Sequence, residues 1–144
     1  MVKKKFEFLE HTADVYIAAY GSSLEEAFEN AALATTAVMS DVDKIRAKTV
    51  AEVKLEAFDE EALLYLWIEE ILVRFDLREE LFSYFKVFGI KERGEGLTLE
   101  AEIRGETFDP ARHPQRLGVK AVTYYQMEIR KRPGNVTLKF VLDA

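Results

Sequence analysis

Asp143 stands one residue before the end of this chain, directly after the apolar, strand-like run Val136 to Leu142, so its carboxylate sits beside the α-carboxylate of Ala144. Asp14 closes a polar run near the start, Glu10-His11-Thr12-Ala13-Asp14. A third polar run, Lys120-Ala121-Val122-Thr123-Tyr124-Tyr125, opens a late strand pattern. Strand pairing could gather all three in one place. Hard cations such as Ca²⁺, Mg²⁺ and Mn²⁺ prefer carboxylate, carbonyl and water oxygens, so Asp14, Asp143 and the terminal carboxylate of Ala144 form a candidate oxygen-only metal site. Taken singly, each aspartate reads first as a solvated strand-end charge. His11 and His113 could extend the site, but one histidine per loop reads first as a hydrogen-bonding side chain. Lys120 is by default a solvated cation; beside carboxylates it could neutralise them or reach a partner's acidic group.

The elements that would position these groups follow from periodicity. Lys5 to Glu10 and Asp14 to Tyr20 alternate with period two, which predicts two strands joined by a turn through His11-Thr12. Gly21-Ser22-Ser23 ends the second strand, and Ser23 with Glu26 three residues on is a capping-box pattern. A helix is expected next, with Leu24, Ala27, Phe28, Ala31, Ala32, Thr35 and Val38 on one face and alanines small enough for close approach to a sheet. Lys48 to Phe58 reads as a strand. Asp59 caps a second helix that buries Leu63, Leu64, Trp67, Ile68, Ile71, Leu72 and Phe75. Leu81 to Ile90 and Leu97 to Arg104 read as a hairpin turning at Gly94-Glu95-Gly96, and Val122 to Lys131 with Asn135 to Asp143 as another across Arg132-Pro133-Gly134. Gly105 to Gly118 holds two of the three prolines and is expected to be a surface loop. The order is not a regular alternation. It predicts an α+β fold: a single compact domain of mixed β-sheet structure with two main amphipathic helices packed against it.

Composition narrows the chemistry. The chain has 144 residues, 49% of them hydrophobic, enough for one sizeable core. It contains no cysteine, which excludes disulfides, thiolate catalysis and cysteine-ligated metal sites, and a cytoplasmic protein is the default. No run approaches the ~18 apolar residues of a membrane span. A net charge of −6 opposes direct binding to RNA, whose phosphates call for clustered lysine and arginine. Charged residues make up 32% of the chain, a hint of thermophily. No Gly-x-Ser-x-Gly elbow or His-Glu-x-x-His helix is present, and Gly94-Glu95-Gly96 lacks the context of a phosphate loop. Tyr124 and Tyr125 alternate across a strand, so at most one should face the core.

Several short motifs, in this order, resemble the archease family over nearly the whole chain. They are Glu10-His11-Thr12-Ala13-Asp14, Gly21-Ser22-Ser23-Leu24-Glu25-Glu26-Ala27-Phe28, Leu63-Leu64-Tyr65-Leu66-Trp67, Gly105-Glu106-Thr107-Phe108-Asp109 with His113, Lys120-Ala121-Val122-Thr123-Tyr124, and Leu142-Asp143. The resemblance implies a non-enzymatic accessory protein of the RtcB-type tRNA-splicing ligase, which joins RNA ends using GTP and a divalent metal. In that family the accessory protein promotes guanylylation of the ligase and its multiple turnover. Carried over by position, Asp14, Asp143 and the Ala144 carboxylate are the metal ligands, and Lys120 belongs to the functionally important Lys-Ala-Val-Thr motif. Many relatives place histidine after Lys-Ala-Val-Thr-Tyr, whereas this chain has Tyr125, which supplies no imidazole. The alternative from another class is a chaperone or specificity modulator of RNA-modifying enzymes such as tRNA methyltransferases. A metal-dependent hydrolase would need a base or nucleophile that the sequence does not offer.

Overall fold

The computed structural model describes residues 4–9 and 14–144, so the expected turn through His11-Thr12 lies outside the described residues. The elements run β1 (Phe6–Leu9), β2 (Val15–Gly21), α1 (Leu24–Met39), a short 3-10 turn (Val42–Lys44), β3 (Thr49–Ala57), α2 (Glu60–Arg78), β4 (Glu80–Arg93), β5 (Gly96–Thr107), β6 (Ala121–Arg132) and β7 (Asn135–Asp143). The α+β class expected from the sequence is the class found. The strands form two sheets, one ordered β1-β2-β7-β6 and the other β3-β5-β4, and every pairing is antiparallel.

Local chemistry sets the helix starts. The Ser23 hydroxyl accepts from the Glu26 amide at 3.1 Å, while Glu26 Oε1 accepts from the Ser22 amide at 2.6 Å, one residue earlier than in a standard capping box. Asp59 accepts from the Ala62 amide at 2.8 Å and so starts α2. Both hairpin turns use a residue with positive φ where glycine is cheapest, Gly94 at 62° and Gly134 at 71°.

Helix α1 packs against β2 of the first sheet and β4 of the second, and α2 packs against β6 and β3, so the helices form the layer between the sheets. This is why α1 buries residues all round, including Ala27, Phe28, Ala31, Ala32, Ala34, Thr35 and Thr36, rather than one face. Only small side chains allow a helix to lie that close on two sides. Trp67 is fully buried between the layers, and its indole N–H donates to the Phe28 carbonyl at 2.8 Å. Carboxylates of α1 close the edge of β4: the Val87 amide donates to Glu29 at 2.8 Å and the Ile90 amide to Glu25 at 3.3 Å. Edge amides satisfied in this way offer no template to another strand.

The expected loop Gly105–Gly118 begins later than the sequence indicates, because β5 continues to Thr107. A side chain at Gly105 would bring its Cβ within 1.8 Å of the Leu81 carbonyl oxygen, where β4 shifts register between Phe82 and Tyr84. That glycine marks close backbone approach, not a loop. Among the described residues, no helix is long and apolar enough to cross a membrane.

Candidate functional site

The pairing of three strands brings the carboxylate positions together. Val15 opposes Leu142 and Leu142 opposes Val122, all three packed on the helix side; Asp14 immediately precedes Val15 at this end of the sheet, and Asp143 stands opposite Ala121. Directly opposed antiparallel residues hold their Cβ atoms about 4.5–5.5 Å apart on one face. By alternation that face is the one away from the helices. Asp14, Asp143 and Ala144 are each half-buried. Two carboxylates so placed, with main-chain and terminal oxygens nearby, are the donor chemistry that suits a hard cation. Among the described residues no group of three or more His, Cys, Asp or Glu side chains gathers at metal-binding spacing.

Lys120 adjoins the same end of the sheet by its backbone, its amide donating to the Asp143 carbonyl at 2.7 Å. Its exposed side chain instead lines a groove of about 500 Å³ with Met39, Phe75, Asp76 and Val119, on the helix side. The loop leading to Lys120 is held at two points. Arg116 and Leu117 donate their amides to the Met39 and Val38 carbonyls at 3.0 and 3.1 Å, and the Arg116 guanidinium reaches the Ala37 carbonyl at 3.3 Å. The last turn of α1 has no basic residue of its own, so Arg116 supplies the cation that the negative helix end favours.

The second anchor is Glu106, which is 7% exposed. Its Oε2 accepts from the Arg46 amide at 2.8 Å, from the Arg112 guanidinium at 3.1 Å and from His113 Nε2 at 2.8 Å. Burial pushes this carboxyl up, but the bonds from Arg112, the Arg46 amide and His113 outweigh it and hold the pKa at about 2. His113 Nδ1 accepts from the Asp109 amide at 2.8 Å, which fixes the proton on Nε2. With both ring nitrogens engaged and the residue buried, His113 is the hydrogen-bonding histidine of the plainer reading, and it orders the loop. A larger groove, about 620 Å³, lies towards the other end of β6 beside Asp59, Glu60 and Glu61. Asp59 there caps α2 and Glu60 pairs with Lys131 at 2.5 Å, so these carboxylates serve the fold.

Residues 6–144 match the Archease protein family over the whole described architecture. The chain belongs to the archease family. It is 50% identical to protein archease of Sulfurisphaera tokodaii over 97% of this chain and 99% of that one, and 47% identical to that of Sulfolobus acidocaldarius over 96% and 98%. Among solved structures, protein 1598 of Methanobacterium thermoautotrophicum superposes with a TM-score of 0.82 at 38% identity, covering 97% of this chain and 99% of that chain. The crystal structure of an archease from Thermotoga maritima, described as a possible chaperone, shares the fold with a TM-score of 0.55 at 20% identity.

Set in this archease fold, the residues singled out from sequence divide. Asp14, Asp143, Ala144 and the Lys120 backbone come to one sheet end; His11 lies outside the described residues; His113 sits in the Glu106 network instead. Tyr124 and Tyr125 are both exposed, because β6 breaks register between Thr123 and Glu128 with Gln126 at φ 56°. Tyr124 stacks on Tyr65 of α2 with ring centroids 4.5 Å apart. Glu106 and Arg116 are the positioning residues that sequence reasoning missed. An acidic residue in a Gly-Glu-Thr-Phe segment flanked by Arg112 and His113 was the available signal for the first.

Proposed function

We propose that this archease is an accessory protein that activates an RtcB-type tRNA-splicing ligase, without chemistry of its own. A divalent cation, Ca²⁺, Mn²⁺ or Mg²⁺, is held by Asp14, Asp143 and the Ala144 carboxylate and is brought to the ligase, where it helps arrange metal or nucleotide. The observation that supports this reading is the strand register that pairs Val15 with Leu142, the residues next to Asp14 and Asp143 in the chain. When bound, the cation supplies positive charge on a protein whose overall net charge of −6 would otherwise repel nucleotide phosphate. The protein's own part is to fix two carboxylates on a rigid sheet end and to present Lys120 on the other face of that same end. Its place in the cell is the cytoplasm, with RNA reached through the ligase rather than directly.

The test is a multiple-turnover ligation assay with and without the protein, alongside cation binding by calorimetry. Asp14→Asn and Asp143→Asn are expected to abolish both cation binding and the gain in turnover while the thermal midpoint moves little, since half-buried carboxylates at a strand end contribute little to core packing. Extending the chain past Ala144, which turns that carboxylate into a peptide carbonyl, should weaken both. Unchanged turnover in both aspartate variants refutes the role of the site. The second reading, a chaperone or specificity modulator of enzymes such as tRNA methyltransferases, is favoured by exposed Phe58, Leu77 and Phe88, which could hold partly folded clients. It predicts that both aspartate variants keep full activity in suppressing client aggregation.

A further inference from the structure

The groove beside Lys120 has the composition of a protein-docking surface. Its floor is apolar, formed by Met39, Phe75 and Val119 between the C-terminal ends of α1 and α2. Leu117 in the groove wall is 43% exposed. An exposed apolar patch rimmed by charges marks a protein–protein contact more than a small-molecule site.

The charges at the rim select the partner. Arg116 is engaged by the α1 terminus and by Asp41 at 3.9 Å, whereas Lys120 has no ion-pair partner among the described residues. Asp76, on the α2 side, repels a carboxylate there and so directs an acidic group to the Lys120 end. We propose, resting on the accessory reading above, that this groove receives a segment of the ligase carrying an acidic side chain against Lys120 and an apolar side chain on the Met39–Phe75–Val119 floor. Because the Lys120 amide bonds to the Asp143 carbonyl, a segment seated there lies next to the proposed cation site. Docking and cation delivery would then use the two faces of one sheet end.

The experiment is a methyl-NMR titration of the full chain with the ligase in EDTA, paired with affinity measurements on Lys120→Glu, Lys120→Arg and Leu117→Asp. Both positions are exposed, so the variants should fold. Shifts concentrated at the Met39, Leu117 and Val119 methyls, about tenfold or greater weakening by Lys120→Glu and by Leu117→Asp, and retention of most affinity by Lys120→Arg are expected. Shifts confined to other methyls, with Lys120→Glu binding as the parent does, overturn the groove while turnover stimulation keeps the accessory reading. Groove shifts that grow with protein concentration in the absence of ligase identify a second copy as the occupant and overturn the proposal. Absence of both complex and turnover gain overturns both.

Discussion

Replacing Glu106 by glutamine should expose how the loop before Lys120 is held. The carboxylate is buried, accepts three hydrogen bonds and has its pKa lowered from 4.5 to about 2. At about 1.4 kcal/mol per pKa unit, the ionised form stabilises the folded state by about 3 kcal/mol. Because the folded pKa lies below the unfolded one, that stabilisation is complete above about pH 4.5 and is lost as pH falls towards 2. Glu106→Gln keeps the shape but removes the charge, and its amide nitrogen cannot accept from Arg112 or the Arg46 amide. Urea unfolding should therefore show the variant about 3 kcal/mol less stable at pH 7, with the difference shrinking below about 1 kcal/mol at pH 2. The parent should also lose more stability than the variant between these pH values. A destabilisation that is equal at both pH values, or under about 1 kcal/mol at pH 7, refutes the charge-based account.

Two further substitutions test the fold that carries the site. Trp67→Phe removes the indole bond to Phe28 and leaves a void between the layers; a loss of about 1–3 kcal/mol is expected by urea unfolding followed with circular dichroism, and a neutral result would mean the layers repack freely. Gly105→Ala drives a methyl into the Leu81 carbonyl and should cost more than about 2 kcal/mol or prevent folding, whereas a change under about 0.5 kcal/mol would show that β4 can move aside.

Where the sequence was informative, the signal was local chemistry. Ser23 and Asp59 announced helix starts because an N-cap oxygen is needed within three residues of the first free amide, and Gly94 and Gly134 announced turns because positive φ is cheap only for glycine. Partition of the strands into two sheets was not legible, since alternation gives a strand but not its neighbour. The burial of α1 on two sides was hinted at only by alanines off its expected apolar face, such as Ala34. Gly105 and Glu106 read as loop because the segment to Gly118 is irregular and carries two of the three prolines; β5 nevertheless runs through both, held by close contact with Leu81 and by the bonds from Arg46 and His113. For the site, the strand ends next to Asp14 and Asp143 are readable in the sequence, and the antiparallel register pairs their neighbours Val15 and Leu142. The side on which Lys120 emerges was not, because it depends on strand alternation and on the helix ends that form the groove.

That division of faces gives the site a property that can be measured. Leu142 and Val122 face the helices, so Asp143 and Ala121 face away, while Lys120 returns to the helix side and its groove. If cation binding and docking use opposite faces, Asp143→Asn should lower cation affinity while leaving ligase affinity in EDTA within about twofold, and Lys120→Glu should do the reverse. Independent contributions add, so the double variant should lose each property by the amount seen in its single parent, within about 0.5 kcal/mol. The hydrogen bond from the Lys120 amide to the Asp143 carbonyl survives both substitutions, because it is main chain. A cycle in which Lys120→Glu alters cation affinity as much as Asp143→Asn does would instead place the lysine ammonium among the carboxylates, and the two-faced arrangement would fall.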